Sequence, residues 1–564
     1  MKAPLWLAVG LVLAVSLALG GVPGHDYLSW DDDVFFYQNP HLNPPTWESL
    51  KSYWTGPYAR LYVPVPYTVW WVTARLTGQP GPSGSWEVPP GALHTLSLGV
   101  HLLNVLLAFG LLRRLFANDW AAAAGALLFG VHPLQVESVA WASELKDLLS
   151  GTFSLTALWL YLAAIGGRGR EGPLRHSAGL YPLATLAFAL AMLSKPNTVA
   201  LPMAAAAIAL QLCGLPWRRV WPGLLPWVLM AAVHVAVTRH VQSVAPELDV
   251  ALVQRPLVAG DALAFYMGKL VWPVGLSPDY GRTPEVVLAQ PWSRVAWLIP
   301  LAVIAAVIPL RQRWPWLLTG IAVFCLCLLP SLGLMPFDFQ QYSTVADHYA
   351  YVAMLGAAIA LAGFLSTPRR LLTRGLCGIA LALLLAQSWL QAMTWQNNIS
   401  FWNHTLQVNP RSWLAHNNLG AVYQMLGKPE DAIPHYQAGL RLKPEDADTL
   451  VNLGLALVSV GRDVEAMPYF EQALWLRPGD LKAHFAVGAL LVEQARYADA
   501  LPHLEPLVRQ QPENAPARFA LARALLGLGQ REAALAHLHL LAESSPSYPP
   551  AVEALRNLAG GPGD

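Results

Sequence analysis

Residues 5–19, Leu-Trp-Leu-Ala-Val-Gly-Leu-Val-Leu-Ala-Val-Ser-Leu-Ala-Leu, are followed a few residues later by Trp30-Asp31-Asp32-Asp33, and these two stretches together decide how the chain is read. The first is an apolar run of the kind that enters a bilayer core. Three carboxylates just beyond such a run are too costly to be incidental, and they point to chemistry at a membrane surface.

Reading outward from this point, apolar stretches recur near 92–112, 119–133, 147–165, 179–194, 198–214, 220–238, 296–310, 315–335, 347–365 and 371–394, which with 4–20 make eleven. Most approach the roughly 20 residues that span a bilayer, and the third is short. Charged residues are 13% of the 564, against about 25% in soluble domains, and the deficit lies in the first 395 or so residues. Lys2 begins a segment resembling a signal peptide, but no small-x-small cleavage site precedes Asp31, so this segment reads as a retained first helix.

Basic residues occupy alternate short loops: Arg113 and Arg114; Arg168, Arg170 and Arg175; Arg218 and Arg219; Arg311 and Arg313; Arg369, Arg370 and Arg374. The positive-inside rule makes those loops cytoplasmic. With Lys2 also inside and an odd number of crossings, the Asp triplet and the C-terminal region fall on the far side, periplasmic or luminal. A net charge of +1 offers no case for a nucleic-acid partner. Cys213, Cys325, Cys327 and Cys377 all lie in or beside apolar stretches and read as packing residues.

Beyond residue 395 the pattern changes. Pro410, Pro444, Pro478, Pro512 and Pro546 recur every 34 residues, the tetratricopeptide period. At that spacing Gly420, Gly454 and Gly488 align with Ala522, and Ala432, Ala466, Ala500 and Ala534 align with one another. Small residues let paired helices approach closely, and each proline stops a helix before the next unit. The predicted organisation is therefore all-α: a membrane bundle over 1–395 of about eleven transmembrane helices, with an outer loop at 21–91, then an α-solenoid over 396–564. The repeats are 411–444, 445–478, 479–512 and 513–546, with a partial cap at 547–564. Such arrays present a concave face to proteins or peptides, although a spacer role fits the same pattern.

The unusual polar clusters of the membrane half all fall at predicted far-side helix ends, as expected of a single site. The loop 21–91 is rich in Pro, Trp and Tyr, includes Tyr58-Ala-Arg-Leu-Tyr62-Val-Pro64, and reads as an ordered cap. His94, His101 and Asn104 share one helix face. His101 and Asn104 read as interhelical hydrogen-bonding groups, while His94 is open to either packing or binding. Next comes His132-Pro-Leu-Gln-Val-Glu137-Ser-Val-Ala-Trp141-Ala-Ser-Glu144-Leu-Lys146-Asp147. The remaining stretches carry Ser194-Lys195-Pro196-Asn197, Arg255 with Asp261 and Lys269, and Ala346-Asp347-His348-Tyr349. Lysine at a helix end often only snorkels, but Lys195 is pinned before a proline, where a phosphate headgroup can be met.

Ser-Trp-Asp-Asp-Asp, His-Pro-Leu-x-Val-Glu-Ser-Val-Ala-Trp, Ser-Glu-x-Lys-Asp, Ser-Lys-Pro and Ala-Asp-x-Tyr, followed by the repeats, resemble the transmembrane and tetratricopeptide repeat-containing O-mannosyltransferases and their bacterial relatives. The resemblance covers nearly the whole chain in order. It implies a GT-C glycosyltransferase bundle that takes sugar, typically mannose, from a polyprenyl-phosphate donor and places it on exported proteins. Where that family usually has His, Arg and Arg, this chain has Gln135, Leu145 and His348, each a loss of basic character near the site.

The chemistry expected is one inverting displacement at the anomeric carbon. A hydroxyl acceptor needs a carboxylate to take its proton, and Asp31 and Asp32 are the candidates, with Asp32 slightly preferred. Adjacent side chains in an extended segment point oppositely, so one of them faces the sugar; Asp33 caps or braces the loop, or contacts substrate. Lys195 leads the candidates for the donor phosphate, with Lys146, His348 and Arg255 behind it. His94, His132, Glu137 and Asp347 are candidate substrate-binding groups. No cofactor beyond the lipid-linked sugar is required, and a divalent metal on the Asp cluster is chemically admissible without being assigned. The competing explanation for the Asp triplet is an N-terminal helix cap.

Two other functions stay open at this stage: a non-enzymatic membrane scaffold whose repeats recruit exported proteins, and a transferase acting on a lipid-linked glycan. A transporter fits less well, because its polar groups would gather at the midplane. The Ala, Leu, Pro and Trp bias favours a bacterial inner membrane over the endoplasmic reticulum. The acceptor sequences at Asn398 and Asn403 matter only in the latter.

Overall fold

The computed structural model describes residues 4–81, 85–166, 179–241, 250–368, 370–544 and 548–559. Lys2, Arg168, Arg170, Arg175, Arg369, Pro546 and the end of the predicted cap lie outside these residues. The chain divides into two compact units, Met1–Pro410 and Arg411–Asp564.

The first unit opens with α1 (Leu5–Leu19), followed by the loop region holding α2 (Trp47–Thr55), α3 (Pro64–Thr77) and a two-stranded antiparallel ribbon, β1 (Gln79–Pro80) with β2 (Trp86–Glu87). Then come α4 (Pro90–Phe116), α5 (Asp119–Val131), the short α6 (Val136–Ala140), α7 (Leu145–Ala164), α8 (Leu180–Ser194), α9 (Leu201–Ala207), α10 (Trp217–Val241) and α11 (Arg255–Val271). The unit closes with α12 (Pro284–Ala289), α13 (Ser293–Ala296), α14 (Leu298–Val307), α15 (Pro315–Leu328), α16 (Met354–Ser366), α17 (Leu371–Met393) and α18 (Asn398–Val408). Residues 396–410, grouped with the repeats in the sequence, thus belong to the first compact unit.

Among the described residues, six helical segments are long and apolar enough to cross a membrane: Leu5–Gly24, Pro90–Phe116, Ala142–Ala164, Trp217–Val241, Ser293–Leu310 and Leu371–Met393. Six of the eleven expected stretches therefore reach spanning length as helices. The other apolar stretches form shorter helices, Asp119–Val131, Leu180–Ser194, Pro196–Leu212, Pro315–Ser331 and Met354–Ser366. Proline explains part of the shortening: Pro133 and Pro196 each follow a helix end and begin a 3-10 turn, having no N–H to extend the preceding helix.

Within the unit α7 packs along α8, α15 along α16, and α5 contacts α4, α16 and α1. Gly320 and Gly356 meet where α15 crosses α16, and a Cβ on either would run into the carbonyl oxygen of the other. Small residues at such crossings let helix backbones touch where the surroundings are apolar.

The second unit is a run of paired helices: α19 (Trp413–Met425) with α20 (Pro429–Leu442), α21 (Ala447–Ser459) with α22 (Asp463–Leu476), α23 (Leu481–Glu493) with α24 (Tyr497–Gln510), and α25 (Ala515–Gly527) with α26 (Arg531–Ser544), ending in α27 (Pro549–Ala559). Ser412, Asp446, Asp480 and Asn514 cap the first helix of each pair through the side chain, at the same 34-residue interval. The aligned glycines sit under large side chains of the paired helix. A Cβ on Gly420 would lie 2.7 Å from a Tyr436 ring carbon, and one on Gly488 2.6 Å from the Leu504 side chain. Ala432, Ala466, Ala500 and Ala534 are fully buried.

Candidate active site

The Asp triplet follows a bend whose position is held by distant residues. Asn398 Oδ1, at the start of α18, accepts from the Ser29 N–H at 2.7 Å and from Ser29 Oγ at 2.8 Å, and the Trp402 indole donates to Ser29 Oγ at 3.2 Å. Trp30 packs against Trp141, Phe339, Tyr342 and Trp402. The following backbone is helical rather than extended: Asp32 has φ −65° and ψ −27°, and Asp33–Tyr37 forms a turn of π-helix. Single π turns are frequent at functional sites.

This geometry separates the carboxylates. Asp31 lines a cavity of about 410 Å³ together with Lys146, Lys195, His348, Trp141, Glu144 and Tyr349. Asp32 is fully buried beside it, accepting from Leu28 N–H (3.0 Å), Ser143 N–H (3.0 Å) and Ser143 Oγ–H (2.5 Å). The preference for Asp32 as base is therefore reversed, because both its oxygens are committed to the protein. The helix-cap explanation also fails for Asp32, whose side chain caps nothing on the turn it begins. Burial pushes Asp31 up to about 6 against the opposing charge of Lys146, with Glu144 and Asp33 adding to the rise. Burial pushes Asp32 up to about 7, against its hydrogen bonds from Leu28 and Ser143. Asp33, at the head of the π turn, is half-buried and does not line the cavity.

The same cavity is lined by a network of buried charge. Lys195 Nζ is 2.7 Å from Glu144 Oε2 and 2.7 Å from Asp147 Oδ2, and Lys146 Nζ is 3.3 Å from Glu144 Oε1. Burial opposes the Lys195 charge, but the Asp147 and Glu144 carboxylates outweigh it and raise its pKa. Glu137, on α6, joins the network from behind: Oε2 accepts from Asp347 N–H at 3.0 Å, and Oε1 is 2.8 Å from His348 Nδ1. Burial, reinforced by the neighbouring Asp347 charge, raises Glu137 well above the usual carboxylate range. The Tyr280 hydroxyl donates to Asp347 Oδ1 at 2.7 Å.

One rim of the cavity is a tight turn in which Tyr58 and Leu61 exchange backbone bonds of 2.9 Å each. Ala59 (φ 46°) and Arg60 (φ 62°) are both left-handed there. Non-glycine residues pay for that conformation, and such strain gathers at functional sites. The turn brings Arg60 within 3.1 Å of Asp338, another rim residue.

Other sequence candidates lie away from the cavity. His94 Nε2 bonds to Asp26 O at 3.3 Å and its ring packs on His25. His132 accepts Leu134 N–H at Nδ1 (3.2 Å) and so donates from Nε2 to Leu270 O (3.1 Å). Both act as structural ties, not as cavity-lining groups. Arg255 is buried at the start of α11 and bonds to Gly333 O at 3.3 Å, which removes it from the cavity lining. His101 and Asn104 both bond to the Tyr351 hydroxyl, at 2.8 and 2.9 Å. Where basic residues were missed against the resembled family, Gln135 instead donates to Phe129 O at 3.0 Å, and Leu145 is fully buried.

Glu144, Asp147 and Ser143 had no assigned role in the sequence, although they stand in a quoted motif. The spacing of Glu144 and Asp147, three apart at the start of α7, was the signal that puts them on one face. Glu144, Asp147 and His348 also offer ligand atoms within 4.8 Å of one another. Among the described residues, the metal-ligand grouping thus falls there, not on the Asp triplet considered from sequence.

Comparison with known proteins recognises the C-terminal unit. Family models for the tetratricopeptide repeat match residues 413–446, 449–516 and 491–558. Among solved structures, YrrB, described as a TPR protein with an unusual peptide-binding site, is similar at 24% identity over 32% of this chain and 91% of its own, with a TM-score of 0.26. MamA from Desulfovibrio magneticus RS-1 is similar at 27% identity over 25% of this chain and 78% of its own, with a TM-score of 0.24. No curated protein matches the chain. Residues 413–558 are tetratricopeptide repeats, joined in one polypeptide to a helical unit in which, among the described residues, six segments are long and apolar enough to cross a membrane.

Proposed function

We propose that the chain is a membrane glycosyltransferase that moves a sugar, mannose by family resemblance, from a polyprenyl-phosphate donor to Ser or Thr hydroxyls of exported proteins on the non-cytoplasmic face. The observation that carries this reading is the cavity that brings Asp31 together with Lys146, Lys195 and His348. A carboxylate and ammonium groups lining one cavity are what a displacement of phosphate by a hydroxyl requires.

In the proposed step the acceptor oxygen forms a bond to the anomeric carbon while the bond from that carbon to the phosphate oxygen breaks. The hydroxyl proton passes to Asp31, and the electron pair leaves with polyprenyl phosphate. Asp31 suits this role because its pKa, near 6, keeps it ionised yet basic at neutral pH. Lys195 and Lys146 offset the charge that develops on the departing phosphate. Asp32 acts through position: tied to Leu28 and Ser143, it holds Asp31 toward the cavity.

The test is sugar transfer in membranes supplied with polyprenyl-phosphate-mannose and exported host proteins, comparing wild type with Asp31→Asn. Mannose on protein from the wild type alone supports the reading. Absence of transfer from several donors to any acceptor rejects it in favour of a membrane-anchored scaffold, which the repeats at 413–558 support independently as a protein-docking array.

A further inference from the structure

Glu144, Asp147 and His348 converge as a metal centre's ligands do, with their ligand atoms within 4.8 Å of one another. Two carboxylates and an imidazole form a donor set that suits divalent first-row ions. His348 is also held by a carboxylate, since its Nδ1 lies 2.8 Å from Glu137 Oε1. Yet the same oxygens are already served: the Lys195 ammonium is 2.7 Å from Glu144 Oε2 and 2.7 Å from Asp147 Oδ2.

We propose that Lys195 is the resident cation of a metal-type cage, its ammonium standing where a divalent ion would bind and meeting the donor phosphate in that ion's place. The role toward phosphate rests on the transferase reading above; the cage itself does not. An ammonium has three donors, and two of them are spent on the carboxylates. Lys195 also lines the cavity, and the proposal assigns the remaining donor to a ligand there. The side chain is held in place on other sides as well. The Tyr349 ring centroid is 5.6 Å from Nζ, and Pro196 follows directly with a 3-10 turn.

The contacts support exclusive occupancy: Lys195 already bridges Glu144 and Asp147, and adding a divalent ion beside it would crowd two cations onto the same oxygens. Removing the ammonium leaves two buried carboxylates and an imidazole with a cation-sized deficit. Lys195→Ala should therefore create a divalent metal site that the wild type lacks.

The experiment uses the full chain in detergent, stripped with chelator and titrated with Mn²⁺, following free Mn²⁺ by electron paramagnetic resonance and unfolding by a thermal ramp. The variants are Lys195→Ala, Lys195→Ala/Asp147→Asn and Asp147→Asn. Lys195→Ala should bind one Mn²⁺ per chain and unfold at a higher temperature with Mn²⁺ than without, because a ligand bound to the native state stabilises it. The double variant should bind at least about tenfold more weakly. Wild-type binding of Mn²⁺ that Asp147→Asn abolishes would overturn the proposal. So would a Lys195→Ala chain that takes up no Mn²⁺, or one that fails to fold equally with and without it. Sugar transfer is not read in this experiment, so failure of the transferase reading leaves these outcomes unchanged.

Discussion

On the proposed transferase reading, Asp31→Asn should make the protein far less active and, by the burial of Asp31, more stable. Folding raises the Asp31 pKa from 3.8 to about 6, so at pH 8 the folded protein carries an ionised group that it holds less favourably than the unfolded chain does. A shift of this size corresponds to about 3 kcal/mol, with about 2 kcal/mol as the lower figure after allowing for the side chain's partial opening to the cavity. The sign follows from proton linkage. Because the folded pKa is the higher one, Asp31 costs nothing below pH 4, and its penalty builds as pH rises through 6. Asparagine keeps the shape and removes the charge. With an unfolding entropy of about 2 cal/mol/K per residue over the 410 residues of the first unit, the gain raises the apparent unfolding temperature by about 2–4 °C at pH 8, by about half as much at pH 5 and by almost nothing below pH 4. Sugar transfer should fall by about 10²–10⁴, the usual contribution of a general base. The assay pairs thermal unfolding monitored by tryptophan fluorescence with transfer from polyprenyl-phosphate-mannose. A lower unfolding temperature at pH 8, or transfer within about tenfold of wild type, would refute the reasoning.

Transfer by the wild type should show an acid limb centred near pH 6, falling about tenfold per unit below it as Asp31 becomes protonated, measured as rate against pH at saturating donor. Gly420→Val should destabilise the repeats by about 1–3 kcal/mol, because the added side chain collides with the buried Tyr436 ring 2.7 Å from the new Cβ; chemical denaturation followed by circular dichroism reads this. Deletion of residues 411–564 should leave turnover of a small soluble acceptor within a few-fold of wild type while lowering transfer to folded exported proteins, and equal transfer to both would remove the docking role from the repeats.

The repeats were legible because their stabilising contacts are local and periodic. Gly420 under Tyr436, Gly488 under Leu504 and the caps at Ser412, Asp446, Asp480 and Asn514 all recur at the spacing visible in the chain. Gathering of the polar motifs was legible in part: Asp31, Lys146, Lys195 and His348 line one cavity, and Glu137 and Asp347 brace His348. His94, His132 and Arg255 looked equivalent to them in sequence but are bound to carbonyls elsewhere. A polar residue near a helix end has the same local signature whether it meets a ligand or a neighbouring backbone, so the chain alone could not separate the two groups.

What the sequence by itself determined is the mostly helical character, the register of the repeats, and the presence of apolar helices with a carboxylate cluster just past the first; the small β1–β2 ribbon departs from the expected all-α fold. These depend on composition and period, which are properties of neighbouring residues. Only the tertiary structure decided which helices reach spanning length, which aspartate faces the cavity, and that Lys195 is paired with Glu144 and Asp147. Asp31 and Asp32 are adjacent and chemically identical. Their difference comes from Ser143, 111 positions from Asp32, whose N–H and hydroxyl claim one carboxylate and leave the other to the cavity, and a contact of that separation leaves no periodic trace in the chain.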